Sequence, residues 1–572
     1  FSSRGGEVNK PDIITPGAAA STVPPFSSRD VMGGTSMASP QAAGAMALLM
    51  SAAYQNEPAM PIHGPTIKKA IKNSAEPLPA YLPIDQGSGV INVVKAFEFY
   101  TSFVERDDHK KVTAYDIRTE SPAYESGSGS TAYWRFGNYF PHVLDQQRFY
   151  VNPVFAKNMQ PDDINNFYRA YELDTNVDWI KLEKKNTYIK GEGPASIDIY
   201  FDKSKLDNPG LYNGKVYAYR KGNVFSGNDK KDIEFELMCT VIVPLQFNDA
   251  NNYRWSSDAI RLNPGEIKRI YFDIPYKASA ANINLQAVPG EYTRLQGYLF
   301  DPDGREWEDG LIIESDKQLT DKVQLNYQDM APGTWELVLY ASFTNEKTVS
   351  GTAQILFSGL DASPKTINYV TYQNGSKPEG SLKVINRYND KMEARVSGDI
   401  HGFQRERYIQ DNTEKYEYMF DVSEDFDKVQ FTIELKPNIF NYFTDFAINL
   451  LDTEGKALLA DGMSYHKKTI TFIPPASGSY ILQLVPAFAT HEAKAWSASL
   501  TESYYLFSEI NIDGGIYSFY PDVVKNIEFT IEGVLPVAPE DYYVFGELWL
   551  DSQDAQRFRT TIPVELFTGL ND

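Results

Sequence analysis

Two spacings of apolar residues divide this chain. Over its first hundred residues they recur at helical intervals. From Ser36 the chain is dense in small side chains, Ala38, Ala42, Ala43, Gly44, Ala45 and Ala47, and then reaches Leu48 and Leu49. A helix that is apolar nearly all round is a buried one, and small side chains let neighbouring backbone approach. Pro40 is tolerated in a first turn, where its missing N–H costs nothing, so this helix is expected to begin at about Ser36. In "PTIKKAIKNSA" the residues Ile67, Ala70 and Ile71 share one face of a second helix.

Beyond about residue 105 the period drops to two, with turn residues between short runs, the pattern of β-sandwiches. "LYNGKVYAYRKG" sets Val216 and Ala218 on one face of a strand and Tyr217 and Tyr219 on the other. "IEFELMCTVIVPL" follows it, and "YYVFGELWLDSQ" with "FRTTIPVEL" repeats that hairpin near the C-terminus. A second repeat joins "YLFDPDGREWEDG…APGTWELVLYASF" to "NLLDTEGKALLADG…PASGSYILQLVPAF". Each holds a strand, an Asp-x-(Asp/Glu)-Gly turn, another strand, and a Gly-led aromatic strand at Trp335 or Tyr480. Asp301 and Asp303 have the spacing that starts a calcium loop, but the remaining oxygen ligands are missing, and a hairpin turn accounts for them. "ESPAYESGSGSTAY" (120–133) reads as a loop or linker.

A length of 572 residues exceeds a single core and implies roughly three to five domains. The 37 Tyr, 33 Phe and 33 Pro favour β-structure with many turns. A net charge of −22 repels a phosphate backbone, so no nucleic-acid partner is expected. "DDHKK" and "NDKKD" mix signs and read as solvated loops. Cys239, the single cysteine, rules out an internal disulfide and lies in an apolar strand as a core thiol. The longest purely apolar runs fall well below the ~20 residues of a membrane helix, so no membrane span is expected.

Ser36 at a helix N-terminus stands where free N–H groups favour developing negative charge, as a nucleophile with an oxyanion intermediate requires. An N-cap serine on a buried helix is the plain alternative. The string "GTSMASP" (Gly34, Thr35, Ser36, Met37, Ala38, Ser39, Pro40) separates them, because it resembles the nucleophile motif of the subtilisin-like serine peptidases. "FSSRG" and "KPDIITPG" before it, and "GSGVINVVKAFEF" (87–99) after it, are similar to the family's flanking strands, glycine turn and last helix. The resemblance implies Ser36 as nucleophile, with its own N–H as one oxyanion donor. Substrate-binding residues stay unknown, and no metal ligand is assigned.

A serine needs a base, and the base needs an orienting carboxylate. The family places both upstream of the serine, with an Asn that donates to the oxyanion. The residues before Ser36 offer Asp12, Asp30 and Asn9 but no histidine. Asp12 falls in the family's structural strand. His63, His109, His142, His401, His466 and His491 all follow the serine without the family's motif. The catalytic Asp and His are therefore expected in an upstream segment of the same peptidase domain, which would also cover residues 1–105, since a sheet without its first strands leaves edges and an apolar face exposed.

The implied fold is multidomain: the C-terminal part of an α/β subtilisin-like domain with a parallel sheet (1–105), followed by mainly antiparallel β-sandwiches at 106–247, 248–362 (jelly-roll-like) and 363–500 (its repeat), and a terminal strand module at 501–572. The order of segments in the tail resembles the tripeptidyl-peptidase II branch of the family. The implied function is hydrolysis of peptide bonds in peptides or unfolded proteins, with no cofactor required and with tripeptide release as the branch-level expectation. The family allows structural calcium, which nothing in the sequence locates. The sandwiches offer surfaces for a homo-oligomer, and the compartment is open between the exterior and the cytosol. A catalytically silent scaffold that uses its sandwiches for assembly or adhesion is the alternative.

Overall fold

The computed structural model describes residues 2, 4–20, 31–106, 110–122, 127–135, 145–224, 231–288, 293–307, 310–371, 376–553 and 559–567. Asp30, His109 and His142 lie outside the described residues. The chain divides into two compact units, Phe1–Pro244 and Leu245–Asp572.

In the first unit, helices α1 (Thr35–Gln55), α2 (Gly64–Ser74), α3 (Pro83–Gln86) and α4 (Val93–Glu105) form the N-terminal part. Ile67, Ala70 and Ile71 of α2 are buried against Ala96, Phe99 and Phe103 of α4, as their spacing predicts. Helix α4 starts where the Asn92 side chain accepts the Lys95 N–H (3.1 Å) and so satisfies one free donor of the first turn. Helix α1 departs from expectation. Only Leu49 and Ala53 are buried, while Leu48 is 66% and Tyr54 74% exposed. One i, i+4 stripe reaches the core with Met46 packed beside it, and Leu48, Met50 and Tyr54 stay exposed.

A sandwich completes the unit. Its strands are β3 (Val112–Glu120), β4 (Ser128–Gly129), β5 (Ala132–Trp134), β6 (Gln146–Phe155), β7 (Tyr168–Thr175), β8 (Ile180–Leu182), β9 (Asn186–Lys190), β10 (Ala195–Phe201), β11 (Gly210–Val224) and β12 (Lys231–Val243). They follow the short pair β1 (Ala18–Ala20) and β2 (Val31–Gly33). Sheet β4-β3-β6-β10-β8 faces sheet β5-β12-β11-β7-β9. Val216 and Ala218 point into the core with Leu237, Cys239 and Val241. Burial pushes the Cys239 thiol up, away from the reactive thiolate. The expected linker is not free: Ala132 and Tyr133 at its end are buried, as is Trp134 after it, because β5 adds to β12 in parallel.

The second unit carries the repeat. One sheet orders Ile267–Asp273, Thr334–Ala341, Arg294–Phe300 and Leu311–Glu314. A later sheet orders Tyr416–Val422, Gly478–Phe488, Phe443–Asp452 and Ala457–Gly462 in the same way. The two turns share an Asp-to-backbone bond. The Arg305 N–H donates to the Asp301 carboxylate (2.8 Å) as the Lys456 N–H does to that of Asp452 (2.9 Å). Asp301 also accepts from the Tyr465 hydroxyl (3.2 Å), so this carboxylate serves a turn and a packing contact.

The boundary expected at residue 501 is not where the chain changes module. Strand Trp496–Phe519 runs through it, paired with Met392–Asn412 along its length. Strand Leu360–Ser363, expected to straddle the boundary at 362, and strand Glu379–Asn386, expected in the repeat, join Val524–Ile531 and the upper part of the long pair instead. Period-two alternation shows that a strand exists but not its hydrogen-bond partner. No helix among the described residues is long and apolar enough to cross a membrane.

Candidate active site

The approach to Ser36 is built from backbone. Ile14 bridges Val90 in parallel, with its N–H on the Gly89 carbonyl (2.9 Å) and its carbonyl accepting from Ile91 (3.3 Å). This contact needs glycine: a Cβ on Gly87 would run into the carbonyls of Pro11 and Asp12, and one on Gly89 into that of Glu76. Both glycines have positive φ, +63° and +113°. Strands β1 and β2 then pair antiparallel, Ala18 with Gly33. The Gly34 N–H donates to the Gly17 carbonyl (2.7 Å) and closes the turn into α1.

Gly34 caps α1 in an extended conformation, and Thr35 is the first helical residue. Ser36 is therefore the second, one position later than its sequence suggests, and Pro40 stands inside the helix in its second turn. The missing Pro40 N–H leaves the Ser36 carbonyl without its i+4 donor. Met37 and Ala38 donate to the Gly34 carbonyl (3.0 and 3.4 Å), whereas among the described residues no acceptor takes the Ser36 N–H. The Ser36 side chain is exposed. A hydroxyl and a free N–H thus stand together at the positive end of a 21-residue helix.

The remaining candidates are engaged elsewhere. Burial raises the Asp12 carboxyl, but Lys10 and Lys68 (3.0 Å) overcome it and hold the group below the usual carboxylate range. Asn9 donates to Glu236 (3.1 Å) rather than facing Ser36. His63 caps α2, its Nδ1 2.8 Å from the Thr66 hydroxyl, and its N–H donates to the Tyr100 hydroxyl. His401 pairs with Glu509 (2.8 Å) in the second unit. Among the described residues no imidazole hydrogen-bonds to Ser36, and no three His, Cys, Asp or Glu side chains gather as metal ligands.

A charged seam was missed in the sequence. On β12, Asp232, Glu234 and Glu236 face α2, although "NDKKD" reads as a solvated loop; Asp232 is fully buried. Lys69 lies 3.0 Å from Asp232 and 2.7 Å from Glu234, and Arg106 reaches Asp232 at 2.8 Å. Arg169 (2.9 Å) and the Tyr115 hydroxyl (2.6 Å) complete the shell of Glu234. Burial raises Glu234, and Lys69 and Arg169 outweigh it, so its carboxyl is held well below the usual range. The same balance, through Lys215 and Lys72, lowers Glu236 to about 2. The alternation of acids at 232, 234 and 236 against Phe235 and Leu237 was the available signal, legible only if the second face of β12 is covered.

Residues 1–101 match the model of the subtilase family. The match takes in the Gly34–Pro40 motif. Tripeptidyl-peptidase 2 of Drosophila melanogaster is 27% identical over 286 residues, 48% of this chain and 18% of the relative. The Arabidopsis thaliana tripeptidyl-peptidase 2 is 38% identical over 294 residues, 49% of this chain and 20% of the relative. Pyrolysin of Pyrococcus furiosus is 26% identical over 360 residues, 59% of this chain and 22% of the relative. The chain thus spans about a fifth of the length of these curated relatives. A crystal structure of tripeptidyl peptidase 2 superposes with TM-score 0.56 at 17% identity, covering 94% of this chain and 47% of that one. That likeness concerns fold: a helical N-terminal segment followed by antiparallel sandwiches, resembling tripeptidyl peptidase II over nearly the whole chain.

Proposed function

We propose that this chain is the serine-bearing part of a subtilisin-like serine peptidase and that Ser36 is its nucleophile. The observation that carries the reading is the motif Gly34–Pro40, seated within the subtilase match, with an exposed hydroxyl on Ser36 and an N–H that no acceptor among the described residues takes, at the start of α1. In this reading a histidine of an upstream segment takes the Ser36 proton, Ser36 Oγ attacks the scissile carbonyl, and the Ser36 N–H with an upstream Asn stabilises the oxyanion. An upstream Asp orients the histidine. This chemistry runs on protein groups alone.

The bare apolar surface of α1, with Leu48, Met50 and Tyr54 exposed, supports packing against the remainder of the catalytic domain. The likeness to tripeptidyl-peptidase 2 supports an exopeptidase that removes tripeptides from short or unfolded chains, with the sandwiches walling the cleft and offering surfaces for self-association. The test is a fluorophosphonate probe applied to the protein with its catalytic domain complete. Labelling at Ser36, lost together with hydrolysis in Ser36→Ala, is the expected outcome. A folded, inhibitor-free protein that leaves Ser36 unlabelled would be a silent scaffold.

A further inference from the structure

We infer that Glu236, on strand β12 of the sandwich and outside the subtilase segment, is a positioning residue for Ser36. The inference rests on the reading of Ser36 as nucleophile. The connection between them is a strap, residues Asn9–Gly17, held at three places.

At its start the strap is tied to the sandwich. The Asn9 side chain donates to Glu236 Oε2 (3.1 Å), an oxygen that also receives Lys215 (3.0 Å) and Lys72 (3.1 Å). Lys72 reaches on to Asp12 at 3.9 Å, and Lys68 holds the other Asp12 oxygen at 3.0 Å. Three donors on one buried carboxylate oxygen make a charge-assisted anchor, stronger and more directional than neutral hydrogen bonds. The Glu236 side chain is 6% exposed and that of Lys215 1%, so water cannot replace either partner cheaply.

In the middle, the strap is threaded through the glycine turn. The Ser88 N–H donates to the Asp12 carbonyl (3.0 Å), next to the Ile14–Gly89 bond.

At its end, the strap holds the turn that presents Ser36. Gly17 accepts the Gly34 N–H (2.7 Å), Thr15 Oγ1 donates to the Ala38 carbonyl (2.7 Å), and Gln41 donates to the Pro16 carbonyl (3.0 Å). Among the described residues these are the only hydrogen bonds that join Gly34–Gln41 to anything beyond the helix. Ser36, Ser39, Pro40 and Gln41 are exposed, so side-chain packing does little to hold this end of α1. The placement of the hydroxyl therefore depends on where the strap lies, and the strap is anchored by a residue of the sandwich. Rate in such a site is sensitive to displacements of an ångström.

Amide hydrogen exchange on the full chain tests this without relying on activity. In Glu236→Gln and in Asn9→Ala, which leaves the lysine contacts of Glu236 in place, the Gly34 N–H should exchange about tenfold faster, the scale of losing a charge-assisted bond. The Ala75 N–H, which closes α2, and the β11–β12 ladder should keep their protection in Asn9→Ala. Wild-type exchange at Gly34 in Asn9→Ala, or acceleration spread equally over α2 and β12, overturns the inference. A second arm measures fluorophosphonate labelling of Ser36 in the protein with its catalytic domain complete, where Asn9→Ala should slow labelling about tenfold. If the unaltered protein does not label, the reading of Ser36 fails while the exchange arm still decides the strap; if it labels and Asn9→Ala labels equally fast, the strap inference alone fails.

Discussion

Replacing Glu234 by glutamine keeps the side-chain shape and deletes one buried charge. In the native unit the Glu234 side chain is 3% exposed, with Lys69 at 2.7 Å and Arg169 at 2.9 Å. An amide can accept one of these bonds but balances neither cation. Removing one partner from a buried ion pair costs roughly 3–5 kcal/mol. Asp232 remains 3.0 Å from Lys69 and offsets part of this, which points to the lower end, about 3 kcal/mol. For a unit of 150–250 residues that corresponds to a fall of about 6–12 °C in its midpoint. Scanning calorimetry of the full chain should show the transition of Phe1–Pro244 moving and that of Leu245–Asp572 standing still. Glu417→Gln, which removes an exposed partner of Lys415, is the control and should move neither. A shift no larger than the control's would refute the claim that the seam holds the helices to the sandwich. Acid provides a second check. Glu236 titrates at about 2 when folded against 4.5 in its ordinary state, so between those values the unfolded chain binds the proton that the folded unit refuses. Stability from this group, about 3 kcal/mol by linkage, is complete above pH 4.5 and is lost as pH falls toward 2.

Gly89→Ala places a Cβ against the Glu76 carbonyl at φ +113° and should cost roughly 1–3 kcal/mol, read as a lower urea midpoint for the first unit; a change below about 0.5 kcal/mol would show that the turn can open. Leu48→Asp, at a site 66% exposed, should leave the stability of this chain within about 0.5 kcal/mol. In the protein with its catalytic domain complete the same variant should weaken labelling of Ser36, because the carboxylate would be buried without a partner; unchanged labelling would mean that this face of α1 stays bare.

Much of the local structure was legible in the residues. The face Ile67–Ala70–Ile71, the inward pair Val216–Ala218 and the two Asp-x-(Asp/Glu)-Gly turns follow from spacing alone, since a 3.6- or 2-residue period and a turn residue act within one element. The string Gly34–Pro40 likewise placed Ser36 at a helix start to within one residue. Misreadings arose wherever a side chain's setting depends on distant chain. Helix α1 has the composition of a buried helix, yet burial is a property of what lies across from it. Asp232 reads as the end of a solvated loop until Lys69 of α2 and Arg106 come onto it. The strand Trp496–Phe519 reads as the end of one module and the start of another because alternation carries no record of its partner.

What the sequence by itself determined is the type of each element and one resemblance: a serine turn similar to the subtilase nucleophile motif, helices, and alternating strands with their hairpins. Only the tertiary structure decided which elements share a unit, which charges leave water, and that a sandwich glutamate is tied through nine residues of strap to the serine turn. The physical reason is range. Propensity and periodicity act over a few residues along the chain, whereas desolvation and ion pairing act over a few ångströms in space, between groups that the chain separates by more than 160 positions.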